Sequence, residues 1–307
     1  MALLVTDKLP WLVVLAGVLG FVAAPVANFL TPTTSFLLAA MMVGSGLSLS
    51  LPQVFEVQGT ARLTLLTLTL QLTLLPLRSF GLYQLLPNPA LAIGILAVGV
   101  APSEITSALM TMVARGNLAL AMRLMAFSIL LSVFLTPLWL GLFLGKGVPL
   151  DLGGIAVELG LIIALPFLLA SGLRTRFPKM ARYNDEFGGL SALAVIMLIF
   201  VVGGSIASFK LELNLVWLVL ACVVFNLSGY LLGFVISLVT GQKLPETLAL
   251  VFSSGMREFG IATTVALNFL PLGAALAPAL YGLLMMLSAS LLASSGMVKN
   301  QYHSNKL

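Results

Sequence analysis

The chain of 307 residues is 60% hydrophobic and only 8% Asp, Glu, Lys or Arg, against roughly 25% charged in an ordinary soluble protein. That balance excludes a soluble globular protein. Ten bilayer-spanning helices of about 20 residues would use roughly 200 residues and leave too little polar chain for a second, aqueous domain.

The net charge of +5 comes from 15 scattered basic residues against 10 acidic ones, a pattern that bears on membrane topology and implies no nucleic-acid partner. The single cysteine, Cys222, lies in an apolar run, and the single histidine, His303, lies in the polar tail. An intrachain disulfide, a multi-cysteine metal site and an intramembrane histidine centre are therefore excluded, and no cofactor is implied.

In chain order, apolar stretches separated by Gly, Pro or charge predict ten spans at about 10–30, 34–51, 61–85, 89–113, 117–145, 151–173, 189–209, 214–240, 246–270 and 273–296. In the first, Val22-Ala23-Ala24 resembles a signal cleavage site, but the run continues past Pro25 to Leu30 as a full span. With both termini cytoplasmic, the inner segments hold Lys8, Arg62, Arg115, Arg174, Arg176, Lys179, Arg182, Lys243, Lys299 and Lys306, and the outer loops hold Arg78, Lys146 and Lys210. This bias fits an even number of spans and a multi-pass protein of the cell membrane.

The expected fold class is an all-α membrane protein with ten transmembrane helices as two five-helix repeats, 1–150 and 151–307. An odd number of spans per half inverts one against the other. The charged loop at about 174–188 reads as the linker between halves. The fourth span of each half is interrupted, at Ala101-Pro102-Ser103-Glu104 and at Ser253-Ser254-Gly255-Met256-Arg257-Glu258.

Five ionisable residues fall inside apolar spans: Glu104, Arg123, Glu158, Arg257 and Glu258. Each costs at least about 2.5 kcal/mol at mid-membrane, so an intramembrane charge marks a functional interior or a water-filled cavity. Glu158 lies about two turns from its helix end and can reach the interface. Pro102 removes a backbone donor and disfavours helix before it, while Ser103, Thr106 and Ser107 supply short polar side chains. Ser253, Ser254, Arg257 and Glu258 form the second polar break, and such breaks survive in lipid only where they line a cavity or pack within protein. The plainer alternative is that two Glu and two Arg neutralise one another as buried pairs, although desolvation can exceed the Coulombic gain. Gln71 and Asn226 suit either a solute path or interhelical hydrogen bonds, and Gly229-Tyr230-Leu231-Leu232-Gly233 reads as helix packing.

Gly44-Ser45-Gly46-Leu47-Ser48-Leu49 with Pro52 and Phe55, the stretch from Ala101-Pro102 to Ala114-Arg115-Gly116-Asn117, the run Asn226 to Phe234, and Gly255-Met256 together resemble the bile acid:sodium symporter family. The resemblance covers nearly the whole chain. It implies two inverted five-helix repeats, with a panel of spans 1, 2, 6 and 7 and a core of spans 3–5 and 8–10. Interrupted spans 4 and 9 cross at mid-membrane, and an organic anion is carried through the crevice between core and panel by alternating access.

The resemblance also implies sodium sites near Gln71, Ser107, Ser253 and Arg257, and these are degenerate. Ser107 and Gln71 match, but the family's Asn is Ala108, its span 5 hydroxyl positions are Ala121 and Met125, its Glu is Ser253 and its final Gln is Arg257. A guanidinium beside a cation site opposes occupancy. The expectation is a monomeric secondary transporter of a small organic anion with altered or lost sodium coupling, Arg123 and Arg257 standing in for the ions with Glu104 and Glu258 as counter-ions. The alternatives are a sodium-coupled symporter, a channel or a non-transporting receptor on the same fold. An intramembrane enzyme is not expected, because no intramembrane His is present and Asp7, Asp151 and Asp185 lie near ends or loops.

Overall fold

A computed structural model describes residues 9–55, 59–148, 150–207, 213–271 and 273–294. Asp7, Lys8, Lys210, Lys299, His303 and Lys306, invoked above, lie outside the described residues.

The described chain is helical. Six helices are long and apolar enough to cross a membrane. Within them run α5 (Ala61–Leu85), α8 (Leu118–Leu144), the pair α9 (Leu152–Glu158) and α10 (Leu165–Arg176), α11 (Asn184–Ala207), α12 (Leu213–Thr240) and α15 (Leu276–Ser294). A π-helical stretch at Leu159–Ala164 joins α9 to α10. The other predicted spans fall on shorter helices: α1 (Leu9–Val22) with α2 (Ala24–Phe29), then α3 (Thr34–Leu47) followed by the short α4 (Leu51–Phe55), then α6 (Pro89–Val100) with α7 (Thr106–Val113), and α13 (Leu244–Gly255) with α14 (Phe259–Phe269).

The helices form two packed groups. In one, α11 lies along α1, α2 and α3, and α10 lies against α3. In the other, α5 packs on α6, α12 on α13, and α15 on α6, α12 and α14. The loop at 174–188 corrects the expected linker: it joins α10 to α11, which both pack on α3, so it runs within one group and separates nothing. Large apolar side chains such as Trp11, Phe29, Phe36, Phe134 and Val239 are exposed on the outside, as for helices whose solvent is lipid.

Local chemistry explains the irregular points. Pro76 inside α5 leaves the Leu72 carbonyl without its helical donor, and Trp139 Nε1 of α8 donates to that oxygen at 3.0 Å. Gly229 and Gly233 press α12 onto the backbone of α13: a Cβ at Gly233 would lie 2.3 Å from the Leu250 carbonyl oxygen, and one at Gly229 2.7 Å from that of Ser254. That motif is helix packing, as its spacing suggested. Ala114-Arg115-Gly116-Asn117 stops one helix and starts the next. Arg115 takes φ 61°, the Gly116 amide donates back to Thr111 O at 2.7 Å, and Asn117 Oδ1 caps α8 by accepting from Leu120 N at 3.0 Å.

Candidate functional site: the crossing of two broken helices

Asn88 and Pro89 start α6, Asn88 Oδ1 accepting from the amides of Ala90 and Leu91. The helix stops at Ala101, which is extended (φ −65°, ψ 155°) ahead of Pro102. In the second half α13 ends at Gly255, and Met256 is extended (φ −103°, ψ 119°). The two extended segments meet antiparallel with Ser103 opposite Arg257. Glu104 N donates to Met256 O at 3.0 Å, and Glu258 N donates to Pro102 O at 2.9 Å. Each break thus satisfies the backbone of the other, the condition for irregular chain inside a membrane.

Both carboxyl groups are fully buried at this crossing. Glu258 Oε2 accepts from Ile105 N at 3.2 Å, and Glu104 Oε1 accepts from Thr106 N at 3.4 Å, so both hold the start of α7. Both carboxyls therefore engage the N-terminus of α7, where the helix dipole favours negative charge. Held by the adjacent amides of Ile105 and Thr106, they are neighbours at the crossing.

Arg257 is fully buried, and its Nη2 donates to the Ala101 carbonyl, the last of α6. Among the described residues no carboxylate lies within ion-pair distance of this guanidinium, and its Nε and Nη1 have no hydrogen-bond partner. This corrects the expected pairing of Arg257 with Glu104 or Glu258. The arginine reaches back along the break to a helix C-terminus, and the carboxylates turn to a helix N-terminus. Arg123 is placed elsewhere: its Nη1 donates to Thr60 Oγ1, just before α5. Thr60 lies three turns before Gln71, roughly 16 Å along the helix axis, so the expected four-charge cluster reduces to three.

Of the other candidates, Ser103 Oγ donates to Ser253 O at 2.8 Å and lies 3.4 Å from Gln71 Oε1. Asn226 supports α13 from behind, Nδ2 donating to Gly255 O at 2.8 Å while Oδ1 accepts from Ser288 Oγ at 2.6 Å. The Oγ atoms of Ser107, Ser253 and Ser254 and Gln71 Nε2 are buried without hydrogen-bond partners. Glu158, half-buried on α9, accepts from Asn268 Nδ2 at 2.7 Å. Sequence reasoning missed Ser128, whose Oγ accepts from Ser103 N at 2.9 Å, and Tyr281, whose hydroxyl donates to Gly255 O at 2.8 Å. A tyrosine inside an apolar span was the available signal for the latter, since a buried hydroxyl seeks a partner.

Beside the crossing lies a cavity of about 240 Å³ between the two helix groups. Thr106 and Ile105, whose amides hold the carboxyls, form part of its wall. Ser45 and Ser48 of the first group face Met112, Met122 and Met125 of the second across it. Among the described residues no charged side chain lines it.

Broken helices crossing inside a multi-pass helical protein, next to a cavity between two helix groups, define a membrane transport protein. The chain belongs to the SBF-like CPA transporter family, whose model matches residues 7–257. The resemblance to bile acid:sodium symporters is thereby borne out. The chain is 28% identical over 288 residues to an uncharacterized sodium-dependent transporter, YocS, of Bacillus subtilis, covering 92% of this chain and 88% of the relative. It is 24% identical over 266 residues to the probable chloroplastic sodium/metabolite cotransporter BASS1 of Arabidopsis thaliana, covering 85% and 66% respectively. It is also 24% identical over 212 residues to the human ileal sodium/bile acid cotransporter, covering 66% and 59%. Its family is one of transporters and not of enzymes.

Proposed function

We propose that this protein is a secondary transporter that carries a small organic anion by alternating access, without sodium coupling. The observation that carries the reading is the antiparallel bridge of Ser103 with Arg257 beside the intergroup cavity. Its offset of 154 residues (257 less 103) also relates Ala101 to Gly255 and Glu104 to Glu258, and carries α5 onto 215–239 within α12. That register supports two inverted five-helix repeats. The two packed groups correspond to the panel of helices 1, 2, 6 and 7 and the core of helices 3–5 and 8–10, one moving against the other around the cavity. The basic residues favour a cell-membrane protein with cytoplasmic termini. The organic anion rests on relatives named as bile acid and metabolite cotransporters.

Sodium independence rests on the chemistry of the degenerate positions. A hard cation needs a shell of oxygen ligands. Here the Ala101 carbonyl is taken by a guanidinium, and Ala108, Ala121 and Met125 offer no side-chain oxygen.

A thermal-shift screen of small carboxylates on the purified protein, in sodium and in potassium, identifies the solute, because stabilisation scales with ligand over its dissociation constant. Uptake of that solute into proteoliposomes with sodium or choline outside then tests coupling. Equal uptake is expected. A strict sodium requirement refutes the reading, and binding without counterflow makes the protein a receptor.

A further inference from the structure

The two carboxyls at the crossing do more than cap a helix. Both are fully buried, they are held by the adjacent amides of Ile105 and Thr106, and each keeps one oxygen without a hydrogen-bond partner, Glu104 Oε2 and Glu258 Oε1. Two full negative charges so placed in a low-dielectric interior repel strongly, whereas one proton between them converts the repulsion into a short hydrogen bond.

Among the described residues the surroundings offer no alternative neutralisation. From the first helix group, Leu38 of α3 and Leu198 of α11 converge with Glu258 Oε1 on Gly260, where an added Cβ would meet them at 2.8, 2.7 and 3.1 Å. From α15, Met286 approaches the Thr106 hydroxyl, and Tyr281 is engaged with Gly255 O and Arg257 N. From α8 and α5, the groups that reach the bridge are Ser128 and Gln71, bonded to Ser103. Arg257 is the adjacent cation, and its guanidinium is turned to Ala101. Two carboxylates against one guanidinium leave a single uncompensated negative charge, which one proton cancels.

We propose that Glu104 and Glu258 together form a proton-binding site that holds one shared proton and exchanges it through the cavity beside Ile105 and Thr106. The amides of Ile105 and Thr106 bond the carboxyls while the same two residues wall the cavity, so the proton and a solute in the cavity share one surface. On the sodium-independent transport reading, which this step alone rests on, the proton is the coupling ion.

Infrared spectra of the full chain in lipid nanodiscs, titrated from acid to alkaline pH in choline and in sodium media, test the site without a substrate. A protonated-carboxyl C=O stretch equivalent to one group per chain is expected, shifting in D2O and lost on alkalinisation. Glu104→Gln and Glu258→Gln each abolish it, since the amide reproduces the shared hydrogen bond without a titrating proton. Absence of the signal from the unaltered chain, or its persistence in both variants, overturns the proposal. The first outcome needs no variant to fold. A signal present in choline that sodium abolishes leaves the proton site standing and refutes sodium independence instead.

Discussion

On the sodium-independent reading, replacing Arg257 by Gln together with Ser253 by Glu is expected to create a sodium response greater than that of the native chain. The Arg257 guanidinium bonds the Ala101 carbonyl, so a cation coordinated by that oxygen would sit about 4 Å from a fixed positive charge. At the effective dielectric of such sites the repulsion is about 4 kcal/mol, or about a thousandfold in affinity. Arg257→Gln removes the repulsion, and Ser253→Glu adds a carboxylate where a buried hydroxyl now has no partner. The assay is thermal unfolding in sodium against the same concentration of choline. A site occupied at a hundredfold excess over Kd stabilises by about 2.7 kcal/mol, a gain expected of the double variant only. Arg257→Lys with Ser253→Glu keeps the charge and is expected to stay insensitive. The reasoning is refuted if the native chain gains as much from sodium as the double variant does.

Four further substitutions test the packing and local geometry of the fold. Asn226→Ala removes the amide donor to Gly255 O and the acceptor of one Ser288 hydrogen bond, costing about 2 kcal/mol in a denaturation assay. Gly260→Ala drives a Cβ to 2.7 and 2.8 Å from Leu198 and Leu38, an overpacking worth about 1–3 kcal/mol that lowers the melting temperature. Arg115→Gly relieves an exposed residue held at φ 61° and is expected to stabilise by up to about 1 kcal/mol in the same assay. Glu158→Gln keeps an acceptor for Asn268 and is expected to change stability by less than about 0.5 kcal/mol.

The breaks and their polar residues were legible because proline, glycine and charge are conspicuous against 60% hydrophobic composition. Six predicted spans appear as long apolar helices, at 61–85 and 214–240 almost to the residue, since those runs are bounded by polar turns. Directions of long side chains were not legible. Spacing places Arg257 next to Glu258, but a guanidinium on a flexible stem bonds whichever acceptor is least satisfied, and that was the helix-ending Ala101 carbonyl. Arg123 likewise turned to Thr60, a residue separated from it by two whole spans. The cavity draws Ser48 and Asn184 from one group and Met122 from the other, a long-range meeting that no local pattern encodes. The loop at 174–188 misled because charge alone does not distinguish a turn between neighbouring helices from a boundary between halves.

The crossing also explains how two broken helices persist in lipid. A broken helix exposes carbonyls at the end of its first piece and amides at the start of its second. Here the terminal carbonyl of α6, Ala101 O, receives Arg257, and that of α13, Gly255 O, receives Asn226 and Tyr281. The amides of Ile105 and Thr106 at the start of α7 donate to the two glutamates. Three of the four ends are thus engaged by side chains of the chain itself. The two carbonyl ends differ, since one holds a fixed cation and the other holds neutral donors. Because a cation at a helix C-terminus is the favourable sign for the dipole, Arg257 stabilises the end of α6 as a fixed charge carried by the chain itself.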